Sequence, residues 1–243
     1  LHGGDSHDAY QRGKELWLRH LQTKPKDPVL LKHAARFFLL QDRAIAEKLL
    51  HEGKKLQPKK PDWSERLAHL YDLGLDDMND SECALKALEE QERAFKLCRK
   101  RDDRLHILED LPRLSFKAMQ YEKASRYANQ LLAQTQKETD ESDASDCKHK
   151  AHSILGRLAL KNGNIDAARS HLLTSANVQG SPVLHSFGPS MRLAKEVLES
   201  GQQDAVLKYL DRCEVFWKGE RGRLPAWRKE IQEGSVPSDW SRE

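Results

Sequence analysis

Cysteine is scarce in this chain of 243 residues: the four thiols Cys83, Cys98, Cys147 and Cys213 stand far apart, with no CxxC pair. That spacing argues against a disulfide scaffold and fits free thiols in a reducing compartment such as the cytoplasm. The first residue is Leu1 rather than Met, which leaves removal of an upstream segment, and hence export, open. Glycine and proline are also few, 13 and 9, and a turn-rich all-β chain would need more of both. Long apolar runs are missing: the patch at 37–40 is bounded by Arg36 and Gln41, far short of the roughly 18 to 20 apolar residues of a membrane span. A soluble chain is expected. An excess of one charge sign is missing too, because 41 basic against 38 acidic side chains leave only +3. No global field draws nucleic acid or anionic lipid, so any electrostatic preference must be local. No Gly-rich run ends in Gly-Lys-Ser/Thr, and there is no GxGxxG, no GxSxG elbow and no HExxH. Nucleotide binding and the common hydrolytic sites therefore have no support, and neither a cofactor nor an enzymatic activity is expected.

What is present is a helix-forming mixture, 38% apolar and 33% charged, rich in Leu, Ala, Lys, Glu and Arg. It repeats. Across residues 26–58, Leu30, Ala34, Phe37, Ala46, Leu50, Gly53 and Pro58 fall where a helix-turn-helix unit needs its packing residues and closing turn. Ala34, Ala46 and Gly53 let two helices approach closely, while Leu30, Phe37 and Leu50 fill the layer between them. This pattern resembles the tetratricopeptide repeat.

The same template fits four more times. From about Pro61 it catches Ala68 and Tyr71, then meets an insertion at 73–80 before a second helix at 82–99. From about Leu105 it catches Leu108, Phe116, Tyr121, Ala124, Ala128 and Leu131, with Pro112 predicting a kinked or late-starting helix. From about His149 it catches Gly156, Ala159, Gly163, Ile165, Ala168, Leu172 and Ala176, with Gly163 ending one helix and Asn164 capping the next. From about Phe187 it catches Ala194, Val197, Gly201, Val206, Leu210 and Cys213. The intervals between starts, about 34, 44, 44 and 38 residues, describe a period stretched by loops. The polar stretch 139–148 reads as one such surface loop. The C-terminal part, with Leu155-Gly156-Arg157, Ser186-Phe187-Gly188-Pro189 and Phe216-Trp217-Lys218, is also similar to a group of bacterial tetratricopeptide proteins.

The resemblance implies an all-α fold, a right-handed superhelical solenoid of about five helix pairs and about twelve helices in all. Residues 1–243 are expected to form one domain: a capping helix in 1–25, presenting Tyr10, Leu16, Trp17 and Leu21; the repeats in 26–217; and a cap and tail in 218–243, presenting Trp227 and Ile231. In such repeats the first helices line a concave groove. Carrying its inward positions onto this chain gives Arg113 and Lys117 in the third copy, Lys150, Arg157 and Lys161 in the fourth, and Arg192 and Lys195 in the fifth. The C-terminal half of the groove is thus expected to be basic, with Glu109, Asp110 and Glu199 as acidic exceptions. The first copy offers the mostly apolar Leu31, Lys32, Ala35, Phe38 and Leu39. Such a groove suits a protein or peptide partner with apolar anchors and carboxylates, either an acidic segment or a free C-terminal carboxylate. The match to a carboxylate clamp is partial, because the expected asparagines are missing and Ser153 stands where a lysine is wanted.

Other readings compete. The same basic residues, with Lys54, Lys55, Lys59 and Lys60, could track a nucleic-acid backbone, or they could be solvated helix faces. Cys147, His149 and His152, helped by Asp143 or Asp146, have the residue types of a metal site, and His2 and His7 with Asp5 and Asp8 form a terminal cluster; an ordinary helix start and a loose terminus are the plainer readings. Cys98, near Lys96, Arg99 and Lys100, is either an activated thiol or, more simply, an inert buried one. Structural self-association is a further reading, opposed by helices that cap both ends.

Overall fold

The computed structural model describes residues 3–74, 80–135 and 141–242. Among these the chain is helical throughout and forms no strand. The described residues form thirteen successive α-helices, and the chain divides into two compact units between Ile107 and Leu108.

In the first unit, α1 (Gly3–Thr23) packs on α2 (Pro28–Phe38), α2 on α3 (Arg43–Leu56), α3 on α4 (Pro61–Asp72), and α4 on α5 (Asp80–Leu97). Local chemistry sets the starts. Asp27 caps α2 by accepting from the amides of Val29 and Leu30 at 2.9 and 3.2 Å, and Pro28 occupies the first turn, where its missing N–H costs nothing. The inner face of α2 is Leu31, Ala34, Ala35 and Phe38, all buried. Gly53 lies directly against the ring of Trp63, so even a methyl group there would overlap the indole. Trp63 is itself among the most buried side chains. The rings of Tyr10 and Trp17 in α1 lie 5.1 and 6.1 Å from that of Phe37, while Leu16 is 52% exposed. The expected apolar groove surface of the first copy is absent at Leu31, Ala35 and Phe38, which belong to the core.

Helix α6 (Arg101–Lys117) runs through Pro112 and starts earlier than the proline predicts. The second unit continues with α7 (Tyr121–Thr135), α8 (Glu141–Lys161), α9 (Ile165–Ser175), the one-turn α10 (Pro182–Ser186), α11 (Arg192–Glu199), α12 (Gln203–Phe216) and α13 (Arg223–Gln232). Helix α8 packs on α9, and beyond that α11 packs on α8 and α12 on α9. First helix thus meets first helix and second meets second, the parallel stacking of pairs that lets each repeat bury its neighbour's apolar face. Gly156, within α8, permits this approach: a Cβ there would stand 2.5 Å from Leu193 Cδ2 of α11. Trp227 and Ile231 of α13 are buried, and the Trp227 ring sits 5.6 Å from that of Trp217 and 5.4 Å from that of Trp240.

Two local expectations change. Residues 141–148, read as a loop, form the first two turns of α8, because Ala144, Ser145 and Cys147 turn inward and are buried; 139 and 140 lie outside the described residues, as do 75–79 of the insertion. The fifth pair begins at Arg192, not near Phe187, and the extra helix α10 precedes it. Ser181 caps α10 by accepting from the Leu184 amide at 3.0 Å, with Pro182 in the first turn. Among the described residues no helix is long and apolar enough to cross a membrane.

Candidate functional site: a cavity in the second unit

A cavity of about 470 Å³ opens in the second unit, within the range of small-ligand and peptide-anchor pockets. One wall is α6, through Glu109, Asp110, Pro112 and Arg113. The floor is α8, where His149, Lys150, Ser153, Ile154 and Arg157 share a face by their three- and four-residue spacing. The far wall is the segment 187–190 with Arg192 and Leu193 at the start of α11. Three successive first helices, or the approach to them, therefore build the site.

Four of the seven basic positions named above, Arg113, Lys150, Arg157 and Arg192, line this cavity. Lys117, Lys161 and Lys195 lie outside its lining, and Lys161 sits over the ring of Tyr121 at 4.4 Å. Most of the four cations already have anions. Arg113 pairs with Asp110 at 3.5 Å, Lys150 with Glu109, and Arg157 with Glu196 at 2.7 Å. Burial works against the charge on Lys150, but the Glu109 carboxylate outweighs it and holds the ammonium pKa above its usual value. Arg157 is fixed further by Phe116, whose ring centre lies 4.1 Å from the guanidinium. Among the described residues, Arg192 is the cavity cation with no carboxylate partner. Ser153, at the position where a carboxylate clamp wants lysine, donates its hydroxyl to the carbonyl of His149 at 2.7 Å.

Sequence reasoning did not assign two of its lining groups to this cavity. Phe187 is 77% exposed at the mouth, a large aromatic with almost no packing role. His149 is buried in the wall, with Nδ1 3.1 Å from the carbonyl oxygen of Ser175. The run Cys147, His149, His152 does not converge. Cys147 Sγ faces Glu109 at 3.9 Å, His149 faces Ser175, and His152 Nδ1 meets His171 Nδ1 at 3.0 Å. Among the described residues no three metal-ligating side chains form a group, and His2 lies outside those residues. The four cysteines are buried and unbridged; burial pushes the thiol pKa of Cys98 up and that of Cys213 up to about 12, which disfavours the reactive thiolate.

Stacked helix pairs, with a cavity lined by successive first helices, define a tetratricopeptide-type helical repeat fold. Solved structures agree. The chain is similar to PilW, a widely conserved type IV pilus biogenesis factor, at 13% identity over 94% of this chain and 92% of that one, with a TM-score of 0.57. It is also similar to YrrB, a TPR protein with an unusual peptide-binding site, at 11% identity over 90% of this chain and 96% of that one, with a TM-score of 0.52. At these identities the likeness is one of fold. No protein-family model and no curated protein matches the sequence.

Proposed function

We propose that this chain is a non-catalytic adaptor that binds a protein or peptide, taking an acidic segment into the cavity of the second unit. One observation carries the reading: the cavity concentrates four cations against two carboxylates of its own lining and, among the described residues, leaves Arg192 without a carboxylate partner. A ligand carboxylate completes that set, and the exposed ring of Phe187 offers an apolar contact beside it. The peptide-binding site described for YrrB, a protein of the same fold, supports the class of partner. A free C-terminal carboxylate and an acidic side chain meet the same chemistry.

A nucleic-acid backbone is the weaker ligand. It needs a stripe of free cations and open aromatic faces, whereas here Arg157 covers Phe116 and Lys161 covers Tyr121. Catalysis has no assigned step. The cytoplasm is the proposed compartment, on the strength of four unbridged cysteines.

The test is an array of random hexapeptides probed with the full chain and with an Arg192→Glu variant. The parent should enrich peptides containing Asp or Glu, and the variant should bind them at least about ten-fold more weakly while unfolding at the same temperature. Equal binding by both proteins overturns the reading.

A further inference from the structure

Helix α10 is the extra element between the fourth and fifth pairs, and its apolar side chains face two ways. Leu184 is buried in the core of the second unit. Val183 and Phe187 are 52% and 77% exposed. The Phe187 amide bonds to the Val183 carbonyl at 2.8 Å, the bond that closes one α-helical turn, and the backbone at Phe187 is still helical. Both side chains therefore stand on one face, with Cβ atoms about 5–6 Å apart. Close packing holds this turn in place. Gly188 lies against the Trp217 ring, where a Cβ would stand 2.3 Å from Cε2, and the Gly219 amide bonds to the His185 carbonyl at 2.8 Å. A single exposed valine or phenylalanine is ordinary. Two on one face of an ordered turn are prepared for contact, because little conformational entropy is left to lose on binding.

We propose that α10 is a second subsite for the same ligand: the acidic peptide leaves the cavity across α10 and lays a large apolar side chain on Val183 and Phe187. This rests on the peptide-binding reading above and supplies the specificity which that reading leaves open. Phe187 joins the two subsites. It lines the cavity, whereas Val183 stands outside the lining, so the apolar face continues from the mouth onto the surface beyond. Charge selects the occupant: a ligand that reaches this ring from the cavity meets four lining cations against two lining carboxylates, which favours an anion. The ligand is then a peptide with Asp or Glu at Arg192 and, a few residues away, Leu, Ile, Met or an aromatic residue over α10. A peptide with carboxylates alone leaves the apolar face in water and forfeits that contact.

Val183→Ser separates the subsites, because it removes apolar surface from α10 and leaves the cavity lining unaltered. The hexapeptide array is probed with the full-length parent and this variant, each checked for its unfolding temperature. The strongest acidic hits are then resynthesised with each large apolar residue changed to Ser, and separately with each acidic residue changed to its amide. For the parent, one apolar change should weaken binding about ten-fold. In Val183→Ser that penalty should shrink to about three-fold, while the penalty for the amide stays as in the parent. Acidic hits that tolerate Ser at every apolar position overturn the second subsite even if the variant does not fold. So do equal apolar penalties in the parent and a folded Val183→Ser. A peptide-free dimer in sedimentation that Val183→Ser dissociates assigns the face to a second copy and overturns it too. These results leave peptide binding intact, whereas no enrichment of acidic peptides by the parent sinks the two readings together.

Discussion

Arg157 of α8 pairs with Glu196 of α11 at 2.7 Å. Its guanidinium also lies over the Phe116 ring of α6 at 4.1 Å, so one side chain ties together three successive first helices. A residue expected from the sequence to meet a partner is thereby occupied within the fold. Arg157→Ala is predicted to lower the unfolding free energy by about 1–2 kcal/mol, from a partly buried ion pair and a cation–π contact. Urea unfolding checks this, and a double-mutant cycle with Glu196→Gln should show coupling. Arg192→Ala, by contrast, should leave stability within about 0.5 kcal/mol of the parent.

The turn that ends α6 is the same turn that ends α8 and α11. The Gln120 amide bonds to the Ser115 carbonyl at 2.8 Å, that of Asn164 to Ala159 at 2.9 Å, and that of Gln202 to Val197 at 3.2 Å. Each requires a left-handed residue just before the donor, which is Gly163 (φ +72°) and Gly201 (φ +83°) in two cases and Met119 (φ +55°) in the third. Met119 pays a steric penalty there and is 57% exposed. Met119→Gly should therefore raise stability by up to about 1 kcal/mol, since relief of strain exceeds glycine's entropic cost. A lower urea midpoint for the variant contradicts this.

These turns also show where the sequence is readable. Gly163 and Asn164 announce their turn and cap through residue type, and the Asn164 side chain does accept from the Ala167 amide at 3.0 Å. Methionine carries no such signal, so the turn at Met119 is invisible until the backbone is known. The run 141–148 misleads for a related reason: its Ser and Asp residues have low helix propensity, and only burial of Ala144, Ser145 and Cys147 makes it helical. At the site, repeat spacing places Arg113, Lys150, Arg157 and Arg192 on one face. It cannot place the imidazole of His149, whose Nδ1 meets a carbonyl 26 positions away.

Acid should weaken the second unit through its histidines. Burial lowers the pKa of His149, His152 and His171, that of His152 to about 4, where nearby His171 further opposes its charging. The unfolded chain takes up these protons near its ordinary value of about 6.5. Between that pH and the folded values the unfolded state binds more protons, so stability is complete above about pH 6.5 and falls as the pH drops toward 4. Each fully buried histidine contributes up to about 1.4 kcal/mol per pH unit in this window, and His152 and His171, partly screened by water, contribute less. Urea unfolding at pH 7 and pH 5 should show the loss, smaller in His149→Asn. Equal stability at both values counts against it.

Phe187 should matter to binding and not to folding. Exposed as it is, Phe187→Ser is expected to leave the unfolding temperature within about a degree and to weaken array-selected peptides by about ten-fold. Unchanged affinity removes Phe187 from the binding surface.

The most direct measurement of the central claim is amide hydrogen exchange of the full chain with and without its best array-selected acidic peptide. The account predicts slowed exchange in 109–113, 149–157 and 187–193, with the peptide-free rates restored in Arg192→Glu. Slowed exchange confined to other helices, or a pattern unaltered by Arg192→Glu, would place the ligand elsewhere and contradict it.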